Sequence, residues 1–338
     1  MGQPARINQA MSKPALALLM AVWSSQPQPD LAKLCAACDP NDWRALAQLA
    51  DYHEVEGLLW FGLRQQALPA ALAEHWRERY YLAALRNDLR LEEFQRIQQL
   101  LKAESIEVAL LKGMAFAPTI YRSLGQRQMG DIDLLLRRDD LQRACAVLFA
   151  AGYGLSNYSI NTWQQQRRSG GEVRLQTASG ATLELHWWLF AGHWSRWAGL
   201  QAYPAWQIEQ IQYQSFDLPV LEPISQLLHT AHHLVVGNQF GAGIGRMLAD
   251  IDRLIANYAF DWQQVWHEAQ RWSLAHMLWG VLRLVEQWFN SAIEWHWQPQ
   301  TWRKLALETL LPSQKLLGGA DPRLRPWWRY AILACAWG

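Results

Sequence analysis

The chain has 338 residues, 31 Lys and Arg against 30 Asp and Glu, and 51% apolar residues. That length exceeds one ordinary core, so two or three globular domains are expected. A net charge of +1 removes any global electrostatic case for an anionic membrane or a long nucleic acid.

Residues 15–23 are apolar and follow Arg6 and Lys13, which mimics an export signal. Pro14, however, suits the first turn of an ordinary helix. Cys35, Cys38, Cys145 and Cys335 are scattered, which fits reduced thiols and a cytoplasmic protein. The pair Cys35 and Cys38 lacks the second pair a zinc site wants. No apolar run reaches the roughly 18 residues of a membrane span, so no membrane partner is expected.

Asp39-Pro40-Asn41-Asp42 caps a helix that starts near Trp43. Its apolar positions are Leu46, Leu49, Ala50, Val55, Leu58 and Leu59, and Pro69 breaks it. A long amphipathic helix follows from Leu72 to Lys102. Leu82, Leu85, Leu89, Leu91, Phe94, Ile97, Leu100 and Leu101 are read as its inner stripe.

The pattern then changes. Residues 106–111 read as a buried strand ended by Lys112-Gly113. Met114 to Tyr121 reads as a short helix, and Asp131 to Leu136 as a second strand. Asp139 and Asp140 cap a helix running to Ala151, closed by Gly152. Residues 173–176 and 182–187, joined by Ser179-Gly180, read as a hairpin. After Trp188 the helical signal returns, with Pro204, Pro219 and Pro223 marking irregular connections. Helices are expected at 223–236, 246–258, 261–272, 274–290 and 300–311, with a short one near 326–336.

These elements define an α+β fold, mostly α overall: a small mixed β-sheet core flanked by N- and C-terminal helical segments. The expected domains are a helical region over 1–103, the α/β core over 104–190 and a helical domain over 191–338.

The chemistry concentrates in that core. Asp131 and Asp133 are two apart on a strand, so both carboxylates face one side. Adjacent carboxylates repel unless a cation lies between them. Mg²⁺ resolves this with oxygen ligands and substrate phosphates, and Mn²⁺ is a possible substitute. Glu184, framed by Leu183 and Leu185 on another strand, completes a three-carboxylate site if the two strands adjoin. Two-metal sites of this kind clamp the oxygens of an in-line phosphoryl displacement. Gly113 lets backbone approach a phosphate, and the helix behind it offers free N–H groups. Lys112, Arg127 and Arg122 are the cationic candidates for phosphate oxygens. Only six basic residues are Lys, so Lys112 beside an apolar run stands out.

These spacings resemble the DNA polymerase β-type nucleotidyltransferase superfamily, and within it the uncharacterised bacterial nucleotidyltransferase family with a Lys-Gly turn. The residues that carry the resemblance are Leu110-Leu111-Lys112-Gly113, then Arg127-Gln128-Met129-Gly130-Asp131-Ile132-Asp133-Leu134-Leu135, then Leu183-Glu184-Leu185-His186-Trp187. It covers residues 14–290. It implies an NTP donor such as ATP, Asp131, Asp133 and Glu184 as metal ligands and catalytic residues, and transfer of NMP to an acceptor hydroxyl with release of pyrophosphate. The superfamily's turn usually reads Gly-Ser. Here Met114 follows Lys112-Gly113, which leaves the phosphate grip to Lys112, backbone N–H groups and Arg127.

Two other readings compete: an inactive nucleotide-binding relative, and a helical interaction module built on the 21 Trp. His229, His232 and His233 share a helix face and are read as packing and hydrogen bonding rather than a metal site. Asp250 is read as capping or pairing among the C-terminal helices, with acceptor binding as the alternative. His186 is read as structural, facing away from Glu184, and His193 as a loop residue. The Gly-rich stretch 237–245 follows no strand, so it is a connection or a lid rather than a dinucleotide fingerprint.

Overall fold

The computed structural model describes residues 12–26, 30–155, 171–177, 180–190, 206–318, 331–332 and 334–335. Its strands are β1 (Val108–Leu110), β2 (Asp131–Leu136), β3 (Gly154–Leu155), β4 (Glu172–Gln176), β5 (Thr182–His186), β6 (Ile208–Tyr213) and β7 (Phe216–Leu221). They form one mixed sheet in the order β3-β4-β5-β2-β1-β7-β6. The β2–β5 and β1–β7 pairs are parallel, and the other four are antiparallel.

The period of two sorts the centre of this sheet into two faces. Ile132 and Leu134 of β2 lie in register with Leu183 and Leu185 of β5, which in turn face Leu175 and Val173 of β4. All six are fully buried. At about 1.5–3 kcal/mol for each large apolar side chain, this face anchors the strands that carry the polar one. On the opposite face the same register sets Asp133 beside Glu184, Glu184 beside Arg174, and His186 beside Glu172.

The chain divides into two units. The sheet unit comprises residues 83–124 and 128–229. It holds most of α5 (Ala70–Ala103), with α6 (Lys112–Thr119), α7 (Leu141–Ala150) and the start of α8 (Pro223–His232). The helical unit comprises residues 1–82, 125–127 and 230–338. Its helices include α1 (Lys13–Trp23), α2 (Leu31–Ala36), α3 (Pro40–His53), α4 (Glu56–Leu63), α9 (Ile244–Asn257), α10 (Trp262–Arg271), α11 (Ala275–Phe289), α12 (Thr301–Leu310) and α13 (Ser313–Leu317).

In the helical unit Asp39 and Asp42 close a reciprocal capping box at the start of α3. Glu54, in the left-handed conformation, ends α3 and splits the expected single helix in two. Trp23 is fully buried against His53, Trp288 and Phe289. The short insertion 125–127 joins this unit because Gly57 has no side chain: a Cβ there would lie 2.1 Å from the carbonyl oxygen of Gly125.

Two further expectations are corrected. The long helix does not have one inner stripe. Leu91, Phe94, Ile97 and Leu101 are buried, but Leu85 and Leu89 are 57% and 55% exposed. At 100° per residue those two leucines project from the far side of the helix. The segment between Pro204 and Pro223 is not merely irregular, because β6 and β7 lie within it and Pro219 is paired inside β7. Ser179, His193, Pro204 and most of the expected helix near 326–336 lie outside the described residues. Among the described residues no helix is long and apolar enough to cross a membrane.

Candidate active site

β1 delivers the chain to a sharp turn at Lys112. Lys112 has φ of +51°, a left-handed conformation that suits glycine and strains a residue with a Cβ. The Leu111 amide bonds to the Asp133 carbonyl at 3.0 Å, which ties this turn to β2. The turn launches α6, which packs on β2 and has no side-chain cap on its first amides. The strained backbone sends the Lys112 side chain onto the carboxylates of the sheet. Lys112 Nζ lies 2.6 Å from Asp133 Oδ1 and 3.7 Å from Glu184 Oε2.

Asp133 and Glu184 are 2% and 6% exposed and face each other across β2 and β5. His186, two residues beyond Glu184, is on the same face. Its Nε2 lies 2.9 Å from Asp133 Oδ1 and 3.4 Å from Glu184 Oε2, and its Nδ1 lies 3.6 Å from Glu172 Oε2. The expectation that His186 faces away from Glu184 is therefore overturned, since alternate residues of a strand share a side. On β4, Arg174 donates from Nε to Glu184 Oε1 at 2.7 Å and lies 3.0 Å from Glu172.

The charges of this face are mutually compensated. Burial pushes the Asp133 carboxyl up, but Lys112 and His186 outweigh it and hold the group well below the usual carboxylate range. Burial and the nearby Lys112 charge oppose a proton on His186. Its bonds to Asp133 and Glu184 prevail and raise it to about 9. Burial likewise opposes the Lys112 charge, and Asp133 and Glu184 more than restore it. Asp131 sits one pleat before Asp133 and is partly exposed. Its charge acts on Lys112, Arg174 and Arg90.

One oxygen each from Asp133 and Glu184 and one nitrogen of His186 lie within 4.8 Å of one another, a grouping that could hold a metal ion. The set is two hard carboxylates and one imidazole, which suits a divalent ion such as Mn²⁺ at least as well as Mg²⁺.

The remaining candidates fall elsewhere. Gly113 is buried at the head of α6, and Arg122 is exposed. Arg127 belongs to the helical unit, 5% exposed. Its Nε lies 2.8 Å and its Nη2 2.7 Å from the two carboxylate oxygens of Asp250. The expectation of Arg127 as a phosphate ligand thus meets a guanidinium already committed to a buried bidentate pair. Asp250 does pair, but with Arg127 rather than with a residue of the C-terminal helices as expected.

His229 Nδ1 lies 2.6 Å from the Leu189 carbonyl oxygen. Burial holds His232 down to about 3, so its imidazole is neutral. Among the described residues, neither joins a cluster able to hold a metal. None of the four cysteines is in a disulfide among the described residues.

The sequence reading gives His186 only a structural role and does not name Arg174 or Arg90. The first two are recoverable from the hairpin register, which opposes Arg174 to Glu184 and His186 to Glu172. Arg90 is recoverable from the corrected helical phase of α5.

A mixed sheet with a turn and helix leading into facing acids on adjoining parallel strands defines a nucleotidyltransferase-type core. The chain belongs to the family described as uncharacterised nucleotidyltransferase, whose model matches residues 39–290. No protein of curated function matches it in sequence. Among solved structures it is similar to an antigenic nucleotidyltransferase-like protein from Paracoccidioides brasiliensis, at 14% identity and a TM-score of 0.38. That similarity covers 65% of this chain and 95% of the other, and it is too slight to carry an argument.

Proposed function

We propose that the protein transfers an NMP group from an NTP to an acceptor hydroxyl, using a divalent metal held by the acids of β2 and β5. The observation that carries this reading is the register of Asp133 with Glu184 across parallel strands, with Lys112 Nζ reaching both.

In this reading Asp131, Asp133 and Glu184 are the metal ligands, Mg²⁺ being the expected ion and Mn²⁺ the alternative. His186 is a further ligand or a support for Asp133. A divalent metal held there would supply charge neutralisation for the triphosphate and for the phosphoryl displacement. Lys112 turns toward phosphate oxygens, and the uncapped amides behind Gly113 donate to the same anion. The acceptor hydroxyl passes its proton to Glu184 as its oxygen bonds to the α-phosphorus. The bond from that phosphorus to the bridging oxygen breaks, and pyrophosphate leaves. The rate gain comes chiefly from alignment and fixed charge. Arg122 is an outer phosphate contact. ATP is the first donor to test.

One observation favours a second reading, a nucleotide-binding relative without transfer. Asp133 Oδ1 is already shared by Lys112 and His186. Incubation with each labelled NTP, Mg²⁺ or Mn²⁺ and a cell extract separates the two. Transfer labels an acceptor and releases pyrophosphate in step with it. Nucleotide binding with neither product supports the second reading and sinks the first.

A further inference from the structure

We propose that Arg90 forms a phosphate-binding subsite at the N-terminal end of β2, beside Asp131 and separate from the Asp133–Glu184–His186 cluster. The substrate assignment rests on the nucleotidyl-transfer reading; the anion site rests on the following geometry.

Arg90 lies in phase with Asn87, Leu91 and Phe94, the inward face of α5, where an arginine is out of place as a packing residue. Its Nη2 donates to the carbonyl of Gly130 at 3.0 Å, the residue before Asp131. Its Nε and Nη1 are buried and have no hydrogen-bond partner. A partly buried guanidinium with unmet N–H groups is costly, and an anion beside its accessible Nη2 end offsets that cost.

Asp131 does not supply that partner by a hydrogen bond, although its charge favours the guanidinium. Burial and the charge of Arg86, one turn earlier, both work against Arg90, so a second anion would be welcome there. The approach is from the Nη2 end: Gly130 is exposed, a Cβ built on it would meet nothing within 4 Å, and the bond Arg90 makes to it is exposed. Tetrahedral oxyanions match an arginine's planar donors, and the anion that a nucleotidyltransferase handles is phosphate.

The phosphate belongs either to the donor's polyphosphate chain or to a phosphorylated acceptor, and titration of the full chain distinguishes them. The probes are metal-free inorganic triphosphate, Mg-ATP, and orthophosphate added over saturating Mg-ATP. Arg90→Gln is expected to weaken the relevant probe roughly ten- to a hundredfold. Arg90→Lys, which keeps the charge without the planar donors, should recover part of the loss. The ligand-free melting temperature of Arg90→Gln should stay level or rise, because an unsatisfied buried group has been removed.

Loss of both triphosphate and Mg-ATP affinity assigns the subsite to the donor. Loss of orthophosphate binding alone, with Mg-ATP unchanged, assigns it to the acceptor. Wild-type affinities for every probe in Arg90→Gln would overturn the subsite. So would a wild-type chain that binds none of them, or a lower melting temperature with unchanged affinities. Arg90-dependent binding of metal-free triphosphate without any nucleotidyl transfer would leave the subsite standing and count against the transfer reading.

Discussion

Lys112 Nζ lies 2.6 Å from Asp133 Oδ1, and the residue that makes this bond holds its own backbone at φ of +51°. The turn thus sets a side-chain ion pair against backbone strain, and the two are separable by mutation. Lys112→Ala removes the ammonium and keeps the strain, so it should cost about 3 kcal/mol or more by exposing two facing carboxylates to each other. Lys112→Gly removes both and should be more stable than Lys112→Ala by about 1 kcal/mol. Thermal or denaturant unfolding measures the difference. Mg²⁺ or Mn²⁺ should stabilise both variants more than wild type, since the metal replaces the missing charge.

Arg127 and Asp250 form a second buried pair, 6% and 1% exposed at their side chains. Arg127→Met and Asp250→Asn should each destabilise the helical unit by about 3 kcal/mol. The double variant should lose far less than the sum. A phosphate ligand would behave differently: Arg127→Met would weaken NTP binding while leaving the melting temperature unchanged.

His53 is fully buried, with Nε2 2.8 Å from the Leu317 carbonyl oxygen. Burial lowers its pKa from 6.5 to about 4, against a smaller opposing effect of that bond. Between those values the unfolded chain binds a proton that the folded chain refuses, so stability is present above pH 6.5 and is lost as pH falls toward 4. The loss amounts to about 3 kcal/mol at the acid end. His53→Gln retains a donor toward Leu317 and should flatten this acid limb of a stability-versus-pH curve, even if it lowers the plateau.

On α5, Leu91→Ala should cost about 2–5 kcal/mol, as a core truncation does. Leu85→Ala should change stability by less than about 0.5 kcal/mol. Equal costs would restore the single inner stripe that the leucine spacing suggested.

The contrast between those leucines shows what a sequence can and cannot convey. Local periodicity was legible. The strand ending at Lys112, the strand starting at Asp131, the hairpin ahead of Glu184 and the capping box at Asp39 all follow from near-neighbour chemistry. Asp131 and Asp133 share a side because alternate strand residues must. The same rule puts His186 on the side of Glu184, so its place on the polar face is local information too.

Long-range pairing was not legible. No local pattern told that β5 would lie parallel to β2, which turns three separated acids into one polar face. The Arg127–Asp250 pair joins residues 123 apart in sequence. In β7, Pro219 masks the strand signal, because a residue without an N–H argues locally against a sheet, and only the partner β6 makes the strand evident.

The most direct test of the central claim is Mg-NTP-dependent thermal stabilisation of wild type beside Asp131→Asn combined with Asp133→Asn. Wild type should be stabilised by Mg-NTP and not by NTP with chelator to the same extent. The double variant should fold and lose the Mg²⁺-dependent shift. A double variant shifted by Mg-NTP as much as wild type would contradict the assignment of β2 as the metal-binding strand.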